Sequence, residues 1–334
     1  MARKVDPPSP IVIVNPAVTL EQTGVYWNGL QQATMVLYLE AQQNGKYVPL
    51  APAEVASIRV ITHDRRQGVD EEDLIPFNDD PTSPPAFRGW SAQRSHRGYN
   101  FQPGTKSEAK ADPGEQFVFY CSAANDGREF LDVAFSITTR DGYIWRTNGW
   151  ITRGDVREYN SNMDIKSGIR LTPKPPVVYT SNEFLLDRTP IDGSPCPINR
   201  PEDATFNDIV RISIKTLDGR TVEVRSMSCV PAGMIHWINK LPTTQNPCFT
   251  GYAGPGETTI HWNDAVDHGA DPLPLLTQPV MGKGVIVLCG RNNIKPYSGA
   301  PGGPVAVSLI DADGSPQSCD IGFVAGTRDE LKVT

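Results

Sequence analysis

The sequence predicts an all-β chain built from two related antiparallel β-sandwiches in tandem. Three observations lead there. Gly and Pro together supply 59 of the 334 residues, and the apolar runs between them are short. That is the punctuation of strands and turns rather than of helices. A ten-residue stretch then occurs twice. Val133–Gly142 reads VAFSITTRDG and Val305–Gly314 reads VAVSLIDADG, with five positions identical. Upstream of each lies an apolar run ending in Cys, FVFYC at Phe117–Cys121 and VIVLC at Val285–Cys289. These runs are offset by 168 residues and the ten-residue stretches by 172, the difference being a longer Gly- and Pro-rich loop at Arg291–Pro304.

Two looser matches keep the same order. Pro7-Pro8 followed by Ile11–Val14 matches Pro175-Pro176 followed by Val177–Tyr179. Met35–Gly45 and Ile209–Gly219 are each an apolar strand running into an Asn-Gly or Asp-Gly turn. The period is far longer than that of a stacked solenoid, so each copy is expected to be a domain with its own core. The expected domains are 1–172 and 173–334, each jelly-roll or immunoglobulin-like from an internal duplication.

In the first copy, strands are predicted at Pro7–Val14, Met35–Ala41 and Ser57–Thr62. Alternation in SIRVIT and Pro52 before it favour strand over helix at Ala53–Val60. Gln67–Arg97 is a long polar excursion with an acidic run at Asp70–Asp80 and an aromatic tip, Phe87-Arg88-Gly89-Trp90. Strands follow at Gln116–Ala123, Asp132–Thr139 and Tyr143–Arg153, then a connector at Asn160–Pro176 stiffened by its prolines. In the second copy, strands are predicted at Val177–Thr180, Ile209–Lys215, Thr221–Met227, Thr258–Trp262, Val285–Cys289, Val305–Ile310 and Ser318–Val324. Ile209–Met227 forms a hairpin through Asp218-Gly219. Asn263–Pro279 is a second polar excursion.

Composition removes several functions. The net charge is −7, and both halves are mildly acidic with mixed signs. No basic stripe is present to neutralise phosphates, so no nucleic-acid partner is expected. No run reaches the 18 or so apolar residues of a membrane span, and Pro7, Pro8 and Pro10 interrupt any secretory h-region. The expected location is the cytoplasm or a released assembly. Cys121 and Cys289 occupy equivalent positions and read as buried strand thiols. Cys196, Cys229, Cys248 and Cys319 leave room for two disulfides or none, and no CxxC points to zinc. No cofactor is expected.

The densest chemistry is His261–His268, HWNDAVDH. His261, Asp264 and His268 are candidate metal ligands or acid–base groups, and helical coiling would bring them to one face. The bland alternative is a polar surface loop. A second possibility uses aromatics. Trp90, Trp150, Trp237 and Trp262 fall near predicted loops, and exposed Trp stacks on sugars while Asn263 and Asp264 would bond hydroxyls; core packing is the plain alternative. Asp311-Ala312-Asp313-Gly314 resembles the start of a calcium loop, but the first copy has Thr139-Arg140-Asp141-Gly142, so a hairpin turn explains both. Arg153-Gly154-Asp155 is a three-residue match of low specificity. Nucleophile elbow, zinc-helix and phosphate-loop motifs are absent. Three functions follow in order. The first is a non-enzymatic structural subunit of a larger assembly, self-associating as capsid proteins built from paired β-domains do. The second is a glycan-binding protein, and the third a hydrolase or metal enzyme centred on His261–His268.

Overall fold

The computed structural model describes residues 9–20, 23–63, 74–78, 89–99, 114–124, 130–165, 169–195, 197, 200–238 and 246–334. Its regular structure is nearly all strand, in several sheets that among the described residues are antiparallel but for one strand pair, and it divides into two compact units, Met1–Pro176 and Val177–Thr334.

The first unit runs β1 (Val12–Leu20), β2 (Gly24–Tyr26), β3 (Ala33–Gln43), β4 (Lys46–Tyr47), helix α1 (Pro52–Ser57), β5 (Arg59–Thr62), β6 (Trp90–Gln93), β7 (Glu115–Ala123), β8 (Leu131–Thr138), β9 (Ile144–Arg146), β10 (Asn148–Arg153), β11 (Val156–Asp164) and β12 (Ile169–Lys174). One sheet has the order β1-β3-β7-β6 with β4 beside β3. The other has the order β11-β10-β9-β8-β12-β2 with β5 beside β8. The β12–β2 pair is parallel. Alternate residues of both sheets, among them Met35, Leu37, Phe119, Val133 and Phe135, close on one core.

The second unit runs β13 (Phe184–Pro190), β14 (Phe206–Lys215), β15 (Thr221–Val222), β16 (Val224–Val230), β17 (Ile235–Trp237), β18 (Pro247–Ala253), β19 (Gly284–Gly290), β20 (Val305–Asp311), β21 (Pro316–Phe323) and β22 (Leu331–Val333). Its sheets have the orders β13-β14-β19-β18-β17, with β15 beside β14, and β16-β20-β21-β22. The first of these is buried on both faces. Ile286 and Leu288 of β19 pack toward the second sheet. Val285, Val287 and Cys289 face a separate apolar layer closed by Val266, Leu276 and Ile294 from the connecting segments. An apolar run without alternation, VIVLC, is what a strand covered on both faces requires.

The pairing registers of the two units run in step. Met35 faces Phe119 and Ile209 faces Val287; Cys121 faces Ala33 and Cys289 faces Asn207. Ser136 sits between Arg59 and Arg146, and Ser308 between Ser228 and Ser318. Of these, Met35 and Ile209, Phe119 and Val287, Cys121 and Cys289, and Ser136 and Ser308 are positions that the sequence matches align.

Several expectations are corrected. Pro52–Ser57 is helical: Pro52 fits the first helical position, and the Glu54 carboxylate accepts the Ala51 N–H at 2.7 Å. Strand begins only at Arg59. Val177–Thr180 is not a strand, because Thr180 starts a 3-10 turn (Ser181–Glu183) in which Glu183 accepts its N–H at 2.9 Å. Phe184 opens β13 instead. The expected connector is largely sheet, since β12 pairs with β8 and β2. Thr258–Trp262 contributes a single bridge, His261 to Tyr252. The acidic run at Asp70–Asp80 lies mostly outside the described residues, as does Cys196.

Cys121, Cys229, Cys248, Cys289 and Cys319 are free thiols. Cys229 and Cys319 both face Val307, one from each side of β20. Two strand spacings, about 10 Å, separate their backbones, beyond disulfide reach. Burial pushes the thiols of Cys229, Cys248 and Cys289 up to about 12, which leaves them inert.

Candidate functional site

The His261–His268 segment lies against β18 of the second unit. The chain turns after Ala253 and returns so that His261 and Tyr252 exchange backbone hydrogen bonds of 2.7 and 3.0 Å. Gly251 makes the return possible. A Cβ there would lie 2.5 Å from the Trp262 ring and 2.8 Å from the His261 carbonyl oxygen. The Trp262 ring meets Phe249 edge-on at 5.8 Å, and the His268 ring lies 5.0 Å from Phe249 and 5.5 Å from Trp262.

The two histidines are used differently. His261 is half-exposed, stacks on Tyr252 at 4.8 Å, and places Nε2 3.5 Å from Glu257 Oε2. His268 is turned into the aromatic layer, where Nε2 is buried without a partner among the described residues. Burial pushes its pKa below the ordinary imidazole value, against the pull of Asp267 and Asp264. Phe249 and Tyr252 have opposite parity on β18, so the strand holds the two rings on different sides. The segment is not helical, and the shared faces expected of His261, Asp264 and His268 do not form. Among the described residues, no group of three or more His, Cys, Asp or Glu is arranged to hold a metal ion.

The polar neighbours spend their bonds on the chain itself. Asn263 donates to the Gly233 carbonyl at 2.8 Å and accepts the Ala265 N–H at 3.0 Å. Asp267 accepts the Gly269 N–H at 2.9 Å, and the Tyr297 hydroxyl bridges Asp267 N–H and Ala265 carbonyl. Asp264 is exposed. Trp237 donates its indole N–H to the Ile294 carbonyl at 3.2 Å and meets Tyr297 edge-on. In the first unit, Trp150 packs against Tyr159 at 5.4 Å, with its Nε1 buried and unpartnered among the described residues. Trp90 corrects an expectation: it is 1% exposed inside the first core and offers no stacking face.

Two polar clusters escape any sequence reading, because their members lie far apart in the chain, and a third sits in the Asp311–Gly314 turn that the sequence does mark. His63 Nε2 lies 3.2 Å from Asp164 Oδ1, both side chains being 5% exposed, and the Tyr159 hydroxyl donates to Asp164 Oδ2 at 2.6 Å. Asp208 is buried between Arg188 and Arg200, each 2.7 Å away, while Arg188 also holds Asp329. Arg328 donates to the carbonyls of Asn246, Ala204 and Arg291, fastening the end of the chain to the sheet. The third cluster surrounds Asp311, where Oδ1 accepts the N–H groups of Asp313 and Ser315 and closes the β20–β21 hairpin. Asp313 pairs with Arg220 at 3.5 Å.

Among the described residues, no helix is long and apolar enough to cross a membrane. Compared with models of known protein families and with curated proteins, the chain matches none.

Proposed function

We propose that this chain is a non-enzymatic structural subunit that works by contact with other protein chains, including copies of itself. The observation that carries this reading is where the apolar surface lies. Val178, Leu217, Val230, Leu275 and Met281 of the second unit are 75, 91, 72, 81 and 73% exposed, on turns and strand ends. Large apolar side chains in such places gain by being covered. At His261–His268, Asn263 and Asp267 are meanwhile taken up by backbone partners, and the candidate ligands His261, Asp264 and His268 are not brought together. The same reading takes each unit as one copy of a duplicated sandwich. Its support is the agreement between the sequence offsets and the pairing registers of β3–β7 with β14–β19, and of β8–β9 with β20–β21.

Light scattering behind size exclusion tests the proposal. The expected mass is a multiple of 36.5 kDa, falling toward one chain when Leu217→Glu and Met281→Glu are combined. A concentration-independent monomer would overturn it. Glycan binding lost on Trp262→Ala would favour the sugar reading, and bound metal lost on His261→Ala with His268→Ala the enzyme reading.

A further inference from the structure

We propose that Asp311 and Gln317 form a proton-operated latch on the segment Val177–Tyr179, by which the chain enters the second unit. Gln317 is the clasp. Its Oε1 accepts the Tyr179 N–H at 3.0 Å, and its Nε2 donates to the Val177 carbonyl at 2.6 Å. The same Nε2 donates to Asp311 Oδ2 at 3.2 Å. Asp311 therefore fixes which way the amide faces, and the amide fixes the segment.

The first unit fastens the corresponding point by other means. There the Ile11 N–H, 168 residues before that of Tyr179, is held at 2.7 Å by the carboxylate of Asp141, in the turn of the matching hairpin. Asp141 aligns with Asp313, and the position of Asp311 is Thr139. In the second unit Asp313 is occupied by Arg220, and the tether passes to a buried carboxylate acting through an amide.

Protonation acts at one oxygen. Oδ1 already accepts two N–H groups, so the proton goes to Oδ2. An O–H there faces the Nε2–H of Gln317, donor against donor. Gln317 relieves that clash by turning its amide over, no longer held in place by Asp311. Turning takes Nε2 from Val177 and sets it against the Tyr179 N–H. The turn breaks both bonds and the segment is released. The charged and titratable groups that bear on Asp311 are Asp313 on its own turn, Arg220 from the β14–β15 turn acting on Asp313, and Tyr179, whose hydroxyl lies 3.5 Å from Arg220. From the β15–β16 junction, Glu223 presents its backbone carbonyl to Ala312. Burial, with help from Asp313, raises Asp311 to about 6, so the change falls in mildly acidic solution.

Amide hydrogen exchange on the full chain tests the latch, comparing about pH 7.5 with about pH 5 after correction for intrinsic rates. The Tyr179 amide is expected to lose protection about tenfold at the lower pH. Asp311→Asn, which presents an amide donor at every pH, should show the low protection throughout, whereas Asp313→Asn should keep the pH response. Equal corrected protection of Tyr179 at both pH values overturns the proposal, as does an Asp311→Asn chain protected like the parent at the higher pH. Val210 and Val287, in the β14–β19 ladder, report whether a variant is folded. Should Asp311→Asn fail that control, the comparison of the parent at two pH values still decides.

Discussion

Asp311 and His268 are both buried titratable side chains in the second unit, and they bend its stability in opposite directions with pH. For Asp311 the folded value, about 6, lies above the ordinary one. The fold therefore binds the proton more tightly than the unfolded chain does. Its contribution is fully present below the ordinary carboxylate range and is lost as pH rises through about 6, a difference of at most about 3 kcal/mol. His268 is shifted down, so its contribution is present above the ordinary imidazole value and is lost as pH falls through it. Thermal melts of the parent and Asp311→Asn between about pH 7.5 and pH 4.5 separate the two. The parent should gain on the variant as the solution is acidified, by about 2 kcal/mol of the possible total. Parallel pH curves would show that Asp311 is ionised at no cost. The Tyr179 amide loosens over the same range in which the unit as a whole is stabilised, so local release and global unfolding move apart.

Among the elements, legibility followed periodicity. VIVLC was readable as a strand because its residues are β-branched and uninterrupted, and β19 lies where it was expected. What covers its second face was not readable. Much of the covering layer comes from Asn263–Pro279, whose composition is polar while Val266, Leu273 and Leu276 turn inward. A few apolar residues at irregular spacing in a loop carry no period to detect. Helix α1 was missed because alternation in SIRVIT was extended back over a proline-led turn. At the candidate site, the residue types were visible but their directions were not. His268 and Trp262 are packed by Phe249, and nothing local in HWNDAVDH announces that. Clusters such as His63 with Asp164, 101 residues apart, are legible only once strands are paired. Glycine shows the same contrast. Gly251→Ala would drive a methyl group into Trp262 and the His261 carbonyl, and a loss of about 2–3 kcal/mol is expected in urea unfolding. Gly219→Ala meets open space at φ +89° and should cost about 1–2 kcal/mol, all of it backbone. Equal losses at the two sites would mean that the return strand adjusts around Gly251.

At the scale of the molecule, the class was the most legible feature: short apolar runs between Gly and Pro read as strands, and strand makes up nearly all the regular structure among the described residues. The decapeptide that occurs twice, 172 residues apart, falls on a strand in both places, β8 and β20. The chain divides after Pro176 rather than at Thr172 because Ile169–Lys174 completes a sheet of the first unit. A proline-containing strand reads as linker when its partners, β2 and β8, are remote in sequence. The double covering of the β14–β19 sheet has a consequence for cutting and splicing the chain. Asn263–Pro279 looks like a place to graft a peptide, but it roofs Phe249, Val285 and Val287, and a graft there would lift that roof into water. The β14–β15 tip is the opposite case: Leu217 is 91% exposed, and the turn closes through Thr216 and Arg220. A short flexible tag spliced between Leu217 and Asp218 should leave the melting temperature within a few degrees. The same tag after Asp267 should abolish the cooperative transition of the second unit, as a melt of each tagged chain would reveal.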